Sequence, residues 1–435
     1  MAFFGKSVTT GLLCLTILAG CSSKKATAEG DREELMLSES SGAAVEDDKG
    51  EIILDSSEEN NVEFLQPHFN VSHCHAPFKF SSDFPKELWS APLDFESSKY
   101  AKMIAAPIVA DGKAFCIDAG GIVYAFNKNT GERLWRTSTT VADKDGQIGG
   151  ALAFDKGRLL VTSSFSEGLC LNAENGKILW RIKLPAACKG DGIAIHDGKA
   201  FIACSDSSLH AVDIGSGKIL WSHSGMTADT TFIGSASPAA GDGMVFVAYP
   251  SGEVYALLEE TGAVIWDSMM SKFSLTDASR AFSHPRACPV LKDGFVYFTT
   301  PNEQTVAFNA KTGKQIWKSD FGGLQTPVLS GNSIFVLSSG GMLACLNKDT
   351  GKKRWVRSIA RNQNETSDWY GMIPIKNRFL LLDPKGYILA VSMLDGALED
   401  VAATDDRDAG TSVNPIIADE IMYVLLNCGK LTAYK

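Results

Sequence analysis

The sequence predicts an all-β fold, an eight-bladed β-propeller of four-stranded antiparallel blades that an N-terminal strand closes into a ring. Three observations support this prediction. A turn-Gly-x-x-x-Trp phrase occurs six times, its Trp residues lie 38 to 51 residues apart, and apolar runs separated by Gly and Asn turns fill the intervals. A period of this size indicates one supersecondary unit copied along the chain.

The first complete copy shows how one unit is built. Apolar runs at 107–110, 113–118 and 122–127 are separated by turns that contain Gly. A last turn at Gly131 leads into a short run that contains Trp135. Short apolar runs between such turns are typical of antiparallel hairpins, and four strands per copy is the composition of a propeller blade. The six phrases end at Trp135, Trp180, Trp221, Trp266, Trp317 and Trp355.

The residue types in the phrase have a steric reason. Gly131 and its equivalents permit the positive φ of a tight hairpin turn. A Trp on the outermost strand of a blade presents a large flat ring to the neighbouring sheet. Ten residues before each Trp stands a small side chain, such as Ala125 or Cys170. We interpret this small residue as one that relieves crowding where the blades narrow toward the axis.

Two weaker copies complete the count of eight. A seventh copy begins at Pro374 and has Asp400 at the position of the Trp. An eighth begins at Pro415, ends at Tyr434 and lacks a fourth strand, whereas Trp89 lies upstream in a lone copy of that strand. We expect the N-terminal strand to complete the last blade, because closing the ring removes its exposed edges. A ring of seven blades is the alternative.

Residues 1–20 have the features of a lipoprotein signal peptide. The apolar core from Val8 to Ala19 is too short to span a bilayer, and small residues precede Cys21. The Leu-Ala-Gly-Cys sequence that ends at Cys21 resembles the bacterial lipobox, which implies lipidation of this Cys. Ser22 after it implies transport to the outer membrane. The alternative is an ordinary signal peptide with an incidental Cys.

Residues 21–80 are predicted to be a disordered tether between the lipid and a ring at 81–435. Within this stretch, residues 24–63 hold 13 acidic and four basic side chains, whereas the whole chain carries a net charge of −10. A composition so charged cannot bury a core. Because the ring is left nearly neutral, we expect it to bind no nucleic acid.

The ten cysteines do not form an obvious disulfide framework. One leaves with the signal peptide and Cys21 takes lipid, which leaves eight. An oxidising compartment favours disulfides, but Cys170 and Cys345 occupy the recurring small position and are interpreted as core residues. A disulfide that involves Cys74 or Cys188 remains open.

A cluster of His68, His73, Cys74 and His75 is the strongest candidate for a metal site. Its spacing matches no metal motif, and it lies between the tether and the ring. We therefore interpret it as a mobile polar linker and predict no metal. The sequence contains no Cys-x-x-Cys, phosphate-binding Gly loop or nucleophile elbow, so we expect neither a catalytic residue nor a cofactor.

The phrase at residues 124–135, Tyr-Ala-Phe-Asn-x-x-Thr-Gly-x-x-x-Trp, resembles the repeat of quinoprotein-type propellers. Together with the lipobox, the eight copies and the N-terminal strand, it is similar to the BamB family of outer-membrane assembly factors over about residues 85–435. The resemblance implies a non-catalytic scaffold anchored to the outer membrane on its periplasmic face. It implies as partners the POTRA domain of a BamA-like barrel-insertion subunit, other assembly lipoproteins and unfolded outer-membrane proteins.

The resemblance also implies partner-binding residues in loops around the third to fifth blades. The matching positions are Thr230, Phe232, Ile233, His284 and Arg286. Phe232 keeps an apolar contact, but Ile233 replaces an Arg of the family, and His284 and Arg286 replace two acidic residues. An ion pair cannot survive these replacements unless the partner has changed as well.

Two other classes of protein have the same repeat. One is a different envelope scaffold, such as a sensor or a peptidoglycan-linked factor. The other is a dehydrogenase that depends on pyrroloquinoline quinone, since enzymes with this repeat bind the quinone on the propeller axis. Such enzymes carry an adjacent Cys-Cys pair and carboxylate ligands for calcium, and no Cys-Cys pair occurs in this sequence.

Overall fold

The computed structural model describes residues 48–81, 85–98, 103–139, 150–163, 165–188, 190–226, 235–270, 287–301, 304–359, 369–383, 385–403 and 410–435. These residues form eight four-stranded antiparallel sheets arranged as the blades of a propeller, and no helix occurs among them. The predicted fold class is therefore confirmed. No helix in the described part of the chain has the length and apolarity needed to cross a membrane.

The first four blades follow one another along the chain, and each begins at the axis and ends at the rim. The N-terminal strand that precedes them is β1 (Glu87–Pro92). Blade 1 is β2 (Ile108–Ala110), β3 (Lys113–Ile117), β4 (Ile122–Asn127) and β5 (Arg133–Ser138); blade 2 is β6 (Leu152–Asp155), β7 (Arg158–Ser163), β8 (Glu167–Asn172) and β9 (Ile178–Lys183). Blade 3 is β10 (Ile193–His196), β11 (Lys199–Ala203), β12 (Ser208–Asp213) and β13 (Ile219–Ser224); blade 4 is β14 (Ala239–Gly241), β15 (Met244–Ala248), β16 (Glu253–Leu258) and β17 (Val264–Met269).

The last four blades continue the same order up to the C-terminus. Blade 5 is β18 (Val290–Lys292), β19 (Phe295–Thr300), β20 (Gln304–Asn309) and β21 (Gln315–Ser319); blade 6 is β22 (Val328–Ser330), β23 (Ser333–Leu337), β24 (Met342–Asn347) and β25 (Lys353–Ser358). Blade 7 is β26 (Tyr370–Ile375), β27 (Arg378–Leu382), β28 (Tyr387–Ser392) and β29 (Leu398–Ala403). Blade 8 has three strands of its own, β30 (Ile416–Ala418), β31 (Ile421–Leu426) and β32 (Lys430–Tyr434).

Strand β1 supplies the fourth strand of blade 8. It pairs antiparallel with β32, with Trp89 opposite Ala433 and Ala91 opposite Leu431. The first and last parts of the ring are therefore held in one sheet, which leaves no open end in the circle of blades. Both the count of eight and the closure by an N-terminal strand are confirmed.

The Gly and the Trp of the repeat phrase act across neighbouring blades. Gly262 of blade 4 has a φ of +69°, and a Cβ at this position would lie 2.5 Å from Cε3 of Trp221 in blade 3. The Nε1 of Trp221 donates a hydrogen bond to the carbonyl oxygen of Glu259, 2.9 Å away. The other Trp residues that donate to the next blade in this way are Trp89, Trp135, Trp180, Trp266 and Trp317. One phrase thus builds both a turn and the contact between two sheets.

The small residue ten positions before each Trp has a different cause from the one predicted. Ala125 lies in β4, the third strand from the axis, and is paired directly with Trp135 on the outer strand. Cys170 is paired in the same way with Trp180. The interpretation that these residues relieve crowding at the axis is therefore wrong. A small side chain is needed at this position because the Trp ring lies against it across the ladder.

The structure also differs from the expected tether between residues 21 and 80. Residues 48–81, which we call the axial segment, lie against the blades, and Phe64 and Phe78 within it are only 6% and 3% exposed. Their aromatic side chains belong to the hydrophobic core that blades 1, 7 and 8 share. The acidic residues made the stretch look disordered by composition, although its apolar side chains are numerous enough to be buried against the ring. Residues 1–47, with the signal peptide and Cys21, lie outside the described residues, so those features stay predictions.

Candidate functional site

The axial segment begins at the rim of blade 6. The backbone N–H of Asp48 donates to the carbonyl oxygen of Lys353, 3.0 Å away, and its carboxylate accepts from the Nε of Arg354 at 3.0 Å. A further hydrogen bond comes from the side chain of Asn347 at 2.6 Å. The hydrogen bonds from Asn347, the N–H of Gly50 and Arg354 lower the pKa of Asp48 to about 2. This end of the segment is therefore fixed to the two outer strands of blade 6.

From the rim the segment runs inward and contacts the innermost strand of every blade. Phe64 exchanges two backbone hydrogen bonds with Val109 of blade 1, at 2.7 and 2.9 Å, and Leu65 accepts one from Phe154 of blade 2 at 2.7 Å. The other hydrogen-bonded pairs are Gln66 with Ile195 in blade 3, Val71 with Ala240 in blade 4, Ser72 with Leu291 in blade 5, Asp55 with Ser330 in blade 6, Phe78 with Pro374 in blade 7 and Asn61 with Ile417 in blade 8. The inner edges of all eight sheets thus have partners within the chain, as buried backbone groups require.

Aromatic rings fill the centre of this arrangement. Phe69 lies with its ring centroid 5.7 Å from that of Phe64 and 5.3 Å from that of Phe78. The ring of His75 stacks on Phe78 with the centroids 4.2 Å apart. His68, Phe69 and His73 have positive φ values of 58°, 75° and 55°. Non-Gly residues adopt this conformation only where surrounding contacts compensate its cost, so the path of the segment is fixed by its burial.

Three histidines of the axial segment are neutral side chains, of which His73 is buried and His68 and His75 are partly buried. Burial lowers the pKa of His68 and of His75 to about 4 and that of His73 to about 3. The Nδ1 of His73 lies 2.7 Å from the carbonyl oxygen of Pro289, to which it donates a hydrogen bond. Its Nε2 is buried and has no partner among the described residues. This histidine therefore carries an unsatisfied polar atom in the middle of the ring.

His68 lies near a polar wall of the axial cavity. Its Nε2 is 3.3 Å from the hydroxyl of Thr326 and 3.7 Å from a carboxylate oxygen of Asp191. Because burial keeps His68 neutral at pH 7, the contact with Asp191 is dipolar and not an ion pair. The sequence-based interpretation of this region as a mobile polar linker is wrong, since its histidines contact three different connections between blades, at Asp191, Pro289 and Thr326.

The cavity beside these histidines does not suit a quinone cofactor. It lies between the axial segment and the ends of the inner strands, and Asp191 is the one carboxylate among the described residues that line it. Calcium prefers several carboxylate and carbonyl oxygens. The cavity lacks both that ligand set and an adjacent Cys-Cys pair, and aromatic side chains such as Phe64 and Phe78 form part of its wall. The residues on the axis therefore do not fit the quinone and calcium of the dehydrogenases.

His68, His73, Cys74 and His75 do not gather their ligand atoms around one point. Among the described residues, one trio brings three such atoms within 4.8 Å of one another, and it consists of His196, Asp197 and Glu259 in blades 3 and 4. There the Nζ of Lys199 lies 3.6 Å from the carboxylate of Glu259. A lysine ammonium already balances that carboxylate, so the trio is a salt-bridge cluster.

The outer edge of the ring carries a regular series of exposed aliphatic side chains. The residue directly before the Trp is aliphatic and between 38% and 48% exposed in six consecutive blades, from blade 8 through blade 5. These residues are Leu88, Leu134, Leu179, Leu220, Ile265 and Ile316, which we call the aliphatic belt. Blades 6 and 7 have Arg354 and Glu399 at this position. Each belt residue lies on an outermost strand, whose free edge can accept a further strand.

The partner-binding residues implied by the resemblance lie in two loops between blades. Thr230, Phe232 and Ile233 lie outside the described residues, as do His284 and Arg286. The first loop connects β13 to β14 and the second connects β17 to β18. Corresponding loops of consecutive blades leave from the same face of a propeller. Both stretches lie in the sequence between described strands of blades 3, 4 and 5, and the partner-binding role of their residues stays a prediction.

Comparison with known proteins shows what the chain is similar to. The sequence profile described as outer membrane protein assembly factor BamB matches residues 85–145, 119–357 and 302–435. The outer membrane protein assembly factor BamB of Yersinia pestis is 23% identical over 358 residues, which are 80% of this chain and 88% of that protein. The crystal structure of BamB from Moraxella catarrhalis superposes with a TM-score of 0.69 and 18% identity, covering 81% of this chain and 99% of the other.

Enzymes with the same architecture are also similar in fold. A europium-containing methanol dehydrogenase superposes with a TM-score of 0.66 and 14% identity, covering 84% of this chain and 89% of its own. An identity this low shows a shared fold alone. The sequence profile covers every blade from β1 to β32, whereas the axial segment lies before its first matched residue. The chain therefore belongs to the family of outer membrane protein assembly factor BamB.

Proposed function

We propose that this protein is a non-catalytic scaffold lipoprotein of the machinery that assembles β-barrel proteins in the outer membrane. It binds the barrel-insertion subunit and assists the folding and insertion of outer-membrane proteins. The observation that carries the proposal is the match of the BamB profile to the whole ring, residues 85–435. A rigid ring with loops on broad faces suits this role, because such loops tolerate the variation that partner binding needs.

The side chains that line the axial cavity support a role without catalysis. The axial cavity contains neutral histidines and a single lining carboxylate among the described residues. A dehydrogenase of this fold needs ligands for calcium and space for a quinone on the axis. The axial segment takes that space and contributes apolar rings to it. Partners are consequently expected to bind at the faces and at the outer edge.

The barrel-insertion subunit is proposed to bind the face that carries the loops before β14 and β18. Phe232 is the residue on which the proposal depends most, because it retains the apolar character of the family position. The replacements at His284 and Arg286 reverse the charge expected there, so the partner surface is expected to be acidic where the family's is basic. The opposite charges would then also steer the two proteins together.

The aliphatic belt is proposed as the place where unfolded outer-membrane proteins bind. A β-strand with alternating apolar residues can pair with an open sheet edge and cover the apolar side chain beside it. Leu220→Lys is expected to weaken the crosslinking of an unfolded barrel protein to the ring. Leu398→Lys is the matched control, because Leu398 is 47% exposed on the outer strand of blade 7, outside the belt. Equal crosslinking of both variants would remove this part of the proposal.

The lipid anchor is proposed to be Cys21. Between Cys21 and Asp48, the first described residue, lie 26 residues. A chain of this length spans at most about 90 Å when fully extended and roughly 25–30 Å on average when disordered. The ring is therefore held within reach of the inner surface of the outer membrane and of subunits embedded there. A protein with Cys21→Ser is expected to be released from the membrane fraction.

Affinity purification of the native lipoprotein from mildly solubilised envelopes, read by mass spectrometry, tests the assembly role. The barrel-insertion subunit is expected to co-purify with the wild type and to be recovered several-fold less with Phe232→Ala. Leu394→Ala is the matched control, since Leu394 is 47% exposed in the turn between β28 and β29 of blade 7, on the opposite side of the ring. Recovery of other envelope proteins without the barrel-insertion subunit would replace the assembly role by that of another scaffold.

A further inference from the structure

Two cysteines face each other where the connection from blade 2 enters blade 3. Cys188 follows β9 and precedes β10, and Cys204 comes directly after β11. The N–H of Ser205 donates to the carbonyl oxygen of Ala187 at 2.9 Å. This hydrogen bond aligns the two chain segments antiparallel, so that Cys188 is opposite Cys204. We infer that these two residues form an intramolecular disulfide in the mature protein.

The two side chains share one apolar compartment. Cys188 and Cys204 are 0% and 2% exposed and belong to the same hydrophobic cluster, together with Leu184 and Ile193. Opposed residues in antiparallel segments have Cβ atoms about 4.5–5.5 Å apart, from which a small adjustment reaches the range of about 3.5–4.5 Å that a disulfide needs. Neither thiol belongs to a trio of metal-ligating atoms within the described part of the chain, so a covalent link fits the pair better than a metal does.

The surroundings of Cys204 favour its thiolate, which is the reactive form in disulfide exchange. A hydrogen bond from Cys188 is the main cause that lowers the pKa of Cys204 to about 6, and a contact with His210 acts in the same direction. The ring of His210 is held in place by the hydroxyls of Ser222 and Ser208, 2.8 and 3.0 Å from its two nitrogens. A thiolate is the nucleophile in exchange, and here it lies in contact with the second thiol.

The oxidant is a disulfide carried by a thiol oxidoreductase of the cell envelope or by a small disulfide molecule. The thiolate of Cys204 attacks one sulfur of that disulfide, and the other sulfur leaves as a thiolate. The sulfur of Cys188 then attacks the mixed disulfide at Cys204 and releases the second sulfur of the donor. The two cysteines lose two electrons and two protons, and the donor gains them as two thiols. Because both residues are buried in the folded ring, the oxidant reaches them while the connection from blade 2 is open and Cys204 is still in contact with His210.

The link adds a covalent bond to segments that are already joined by the hydrogen bond from Ser205 to Ala187 and by a shared apolar cluster. It connects the segment before β10 to the turn between β11 and β12, closing a loop at residues 188–204. The hydroxyl of Ser237 donates to the carbonyl oxygen of Ile193 at 2.8 Å, so the linked segment also borders the start of blade 4. A crosslink of this kind stabilises a fold chiefly by restricting the unfolded chain.

Peptide mapping of the full-length protein from its native envelope tests the inference directly. Free thiols are blocked with an alkylating reagent during denaturation in acid, and the protein is digested with trypsin without reduction. The expected product is a pair of peptides, residues 184–189 and 200–218, joined by a disulfide and lighter than the two free peptides by two hydrogen atoms. Reduction is expected to separate the pair and to lower the Tm of the wild type by several degrees.

Control variants separate the link from a general effect of reduction. In the Cys188→Ala and Cys204→Ala double variant, the Tm is expected to be insensitive to the reductant. Cys345→Ala changes a buried cysteine in blade 6 and is expected to leave the linked peptide intact. Complete alkylation of both peptides in the native protein would overturn the inference, as would a link from either cysteine to another residue. The inference requires an oxidising compartment and not the assembly role, so a linked peptide in a protein that fails to recover the barrel-insertion subunit leaves the inference standing.

Discussion

Residues 85–435 and the axial segment hold the same propeller together by opposite means. In the ring, one set of contacts recurs from blade to blade, as when Trp221 of blade 3 lies on Gly262 of blade 4 and donates to Glu259. In the axial segment, the kind of contact changes along the chain: backbone carbonyls accept from inner-strand N–H groups in blades 1, 2, 4 and 5, a side-chain amide of Gln66 serves blade 3, and the backbone N–H of Phe78 donates to blade 7. No internal period is present in the segment.

The difference follows from the geometry of a closed ring. Repetition pairs each sheet with the next one, but it leaves the innermost strand of every blade with an edge that faces the axis. The axial segment meets these edges at uneven intervals of its own sequence: Phe64 and Leu65 contact blades 1 and 2 in succession, whereas Val71 contacts blade 4. The irregular conformation at His68, Phe69 and His73 is the local consequence. In this protein the axis is therefore closed by a segment that is not a repeat.

The largest expected effect comes from removing the axial segment. Deletion of residues 48–81 leaves backbone groups of seven inner strands, and the hydroxyl of Ser330 in the eighth, without their partners, each at a cost of roughly 1–3 kcal/mol. We expect the free energy of unfolding to fall by more than about 5 kcal/mol, measured by chemical denaturation. Deletion of residues 22–47 is the control and is expected to leave the unfolding midpoint unchanged. Equal stability of both deletions would mean that the ring is complete without the segment.

A single buried aromatic residue of the axial segment is expected to contribute as much to the free energy of unfolding as one in the ring. Phe78→Ala removes a side chain that is 3% exposed and should cost about 3–5 kcal/mol. Phe379→Ala in blade 7, where Phe379 is fully buried, should cost about the same. Ile53→Ala is the matched control within the segment, because Ile53 is 58% exposed. If Phe78→Ala unfolded at the same denaturant concentration as Ile53→Ala, the segment would not belong to the core.

The repeated contact of the ring can be isolated with two glycines of blade 4. Gly243 and Gly262 both have positive φ, but an added Cβ meets no atom within 4 Å at Gly243 and the Trp221 ring at Gly262. Gly243→Ala should cost about 1–2 kcal/mol from its backbone conformation alone. Gly262→Ala should cost about 3 kcal/mol, since the Trp ring must also move. Equal thermal unfolding of the two variants would show that Trp221 does not pack on this glycine.

The three histidines of the axial segment make the stability of the folded protein depend on pH. Their folded-state pKa values of about 3 to 4 lie below the unfolded value of 6.5. As pH falls below 6.5 the unfolded chain binds protons that the folded chain does not, so stability is lost on acidification. Each histidine should contribute about 1 kcal/mol of loss between pH 6.5 and 5.5. Replacing His68, His73 and His75 together with Gln is expected to flatten the slope in this window, measured by denaturation at several pH values.

Sequence patterns predicted the ring because each blade has nearly the same sequence pattern. The Gly-x-x-x-Trp phrase indicated the number of blades, and Trp89 indicated that an N-terminal strand closes the ring. The pairing of β1 with β32 confirmed this closure. The role of Ala125 was predicted wrongly, because the sequence alone does not distinguish a small residue paired with a Trp from a small residue near the axis. Only the register of β4 against β5 separates the two causes.

The axial segment escaped prediction because its charges dominate its composition. Its acidic residues suggested disorder, although Phe64, Phe69, Phe78 and Phe80 follow within a short stretch. That aromatic content was the signal that could have indicated burial. The partners of these residues are single strands scattered from blade 1 to blade 8, and no pattern in the sequence identifies contacts so distant. The aliphatic belt was also missed, although the sequence analysis had placed each Trp, and therefore the residue before it, on the outermost strand of its blade.

Hydrogen–deuterium exchange of the full-length protein tests most directly whether the axis is closed by the protein's own chain. Peptides that cover residues 59–80 are expected to exchange as slowly as peptides from the inner strands β2 and β26, because the N–H groups of Phe64 and Phe78 donate hydrogen bonds to Val109 and Pro374 in those strands. Peptides from residues 22–47 provide the fast-exchange reference within the same sample. Exchange of residues 59–80 at the rate of that reference would contradict the account, because it would mean that the segment is not bound to the inner strands and belongs to the disordered tether.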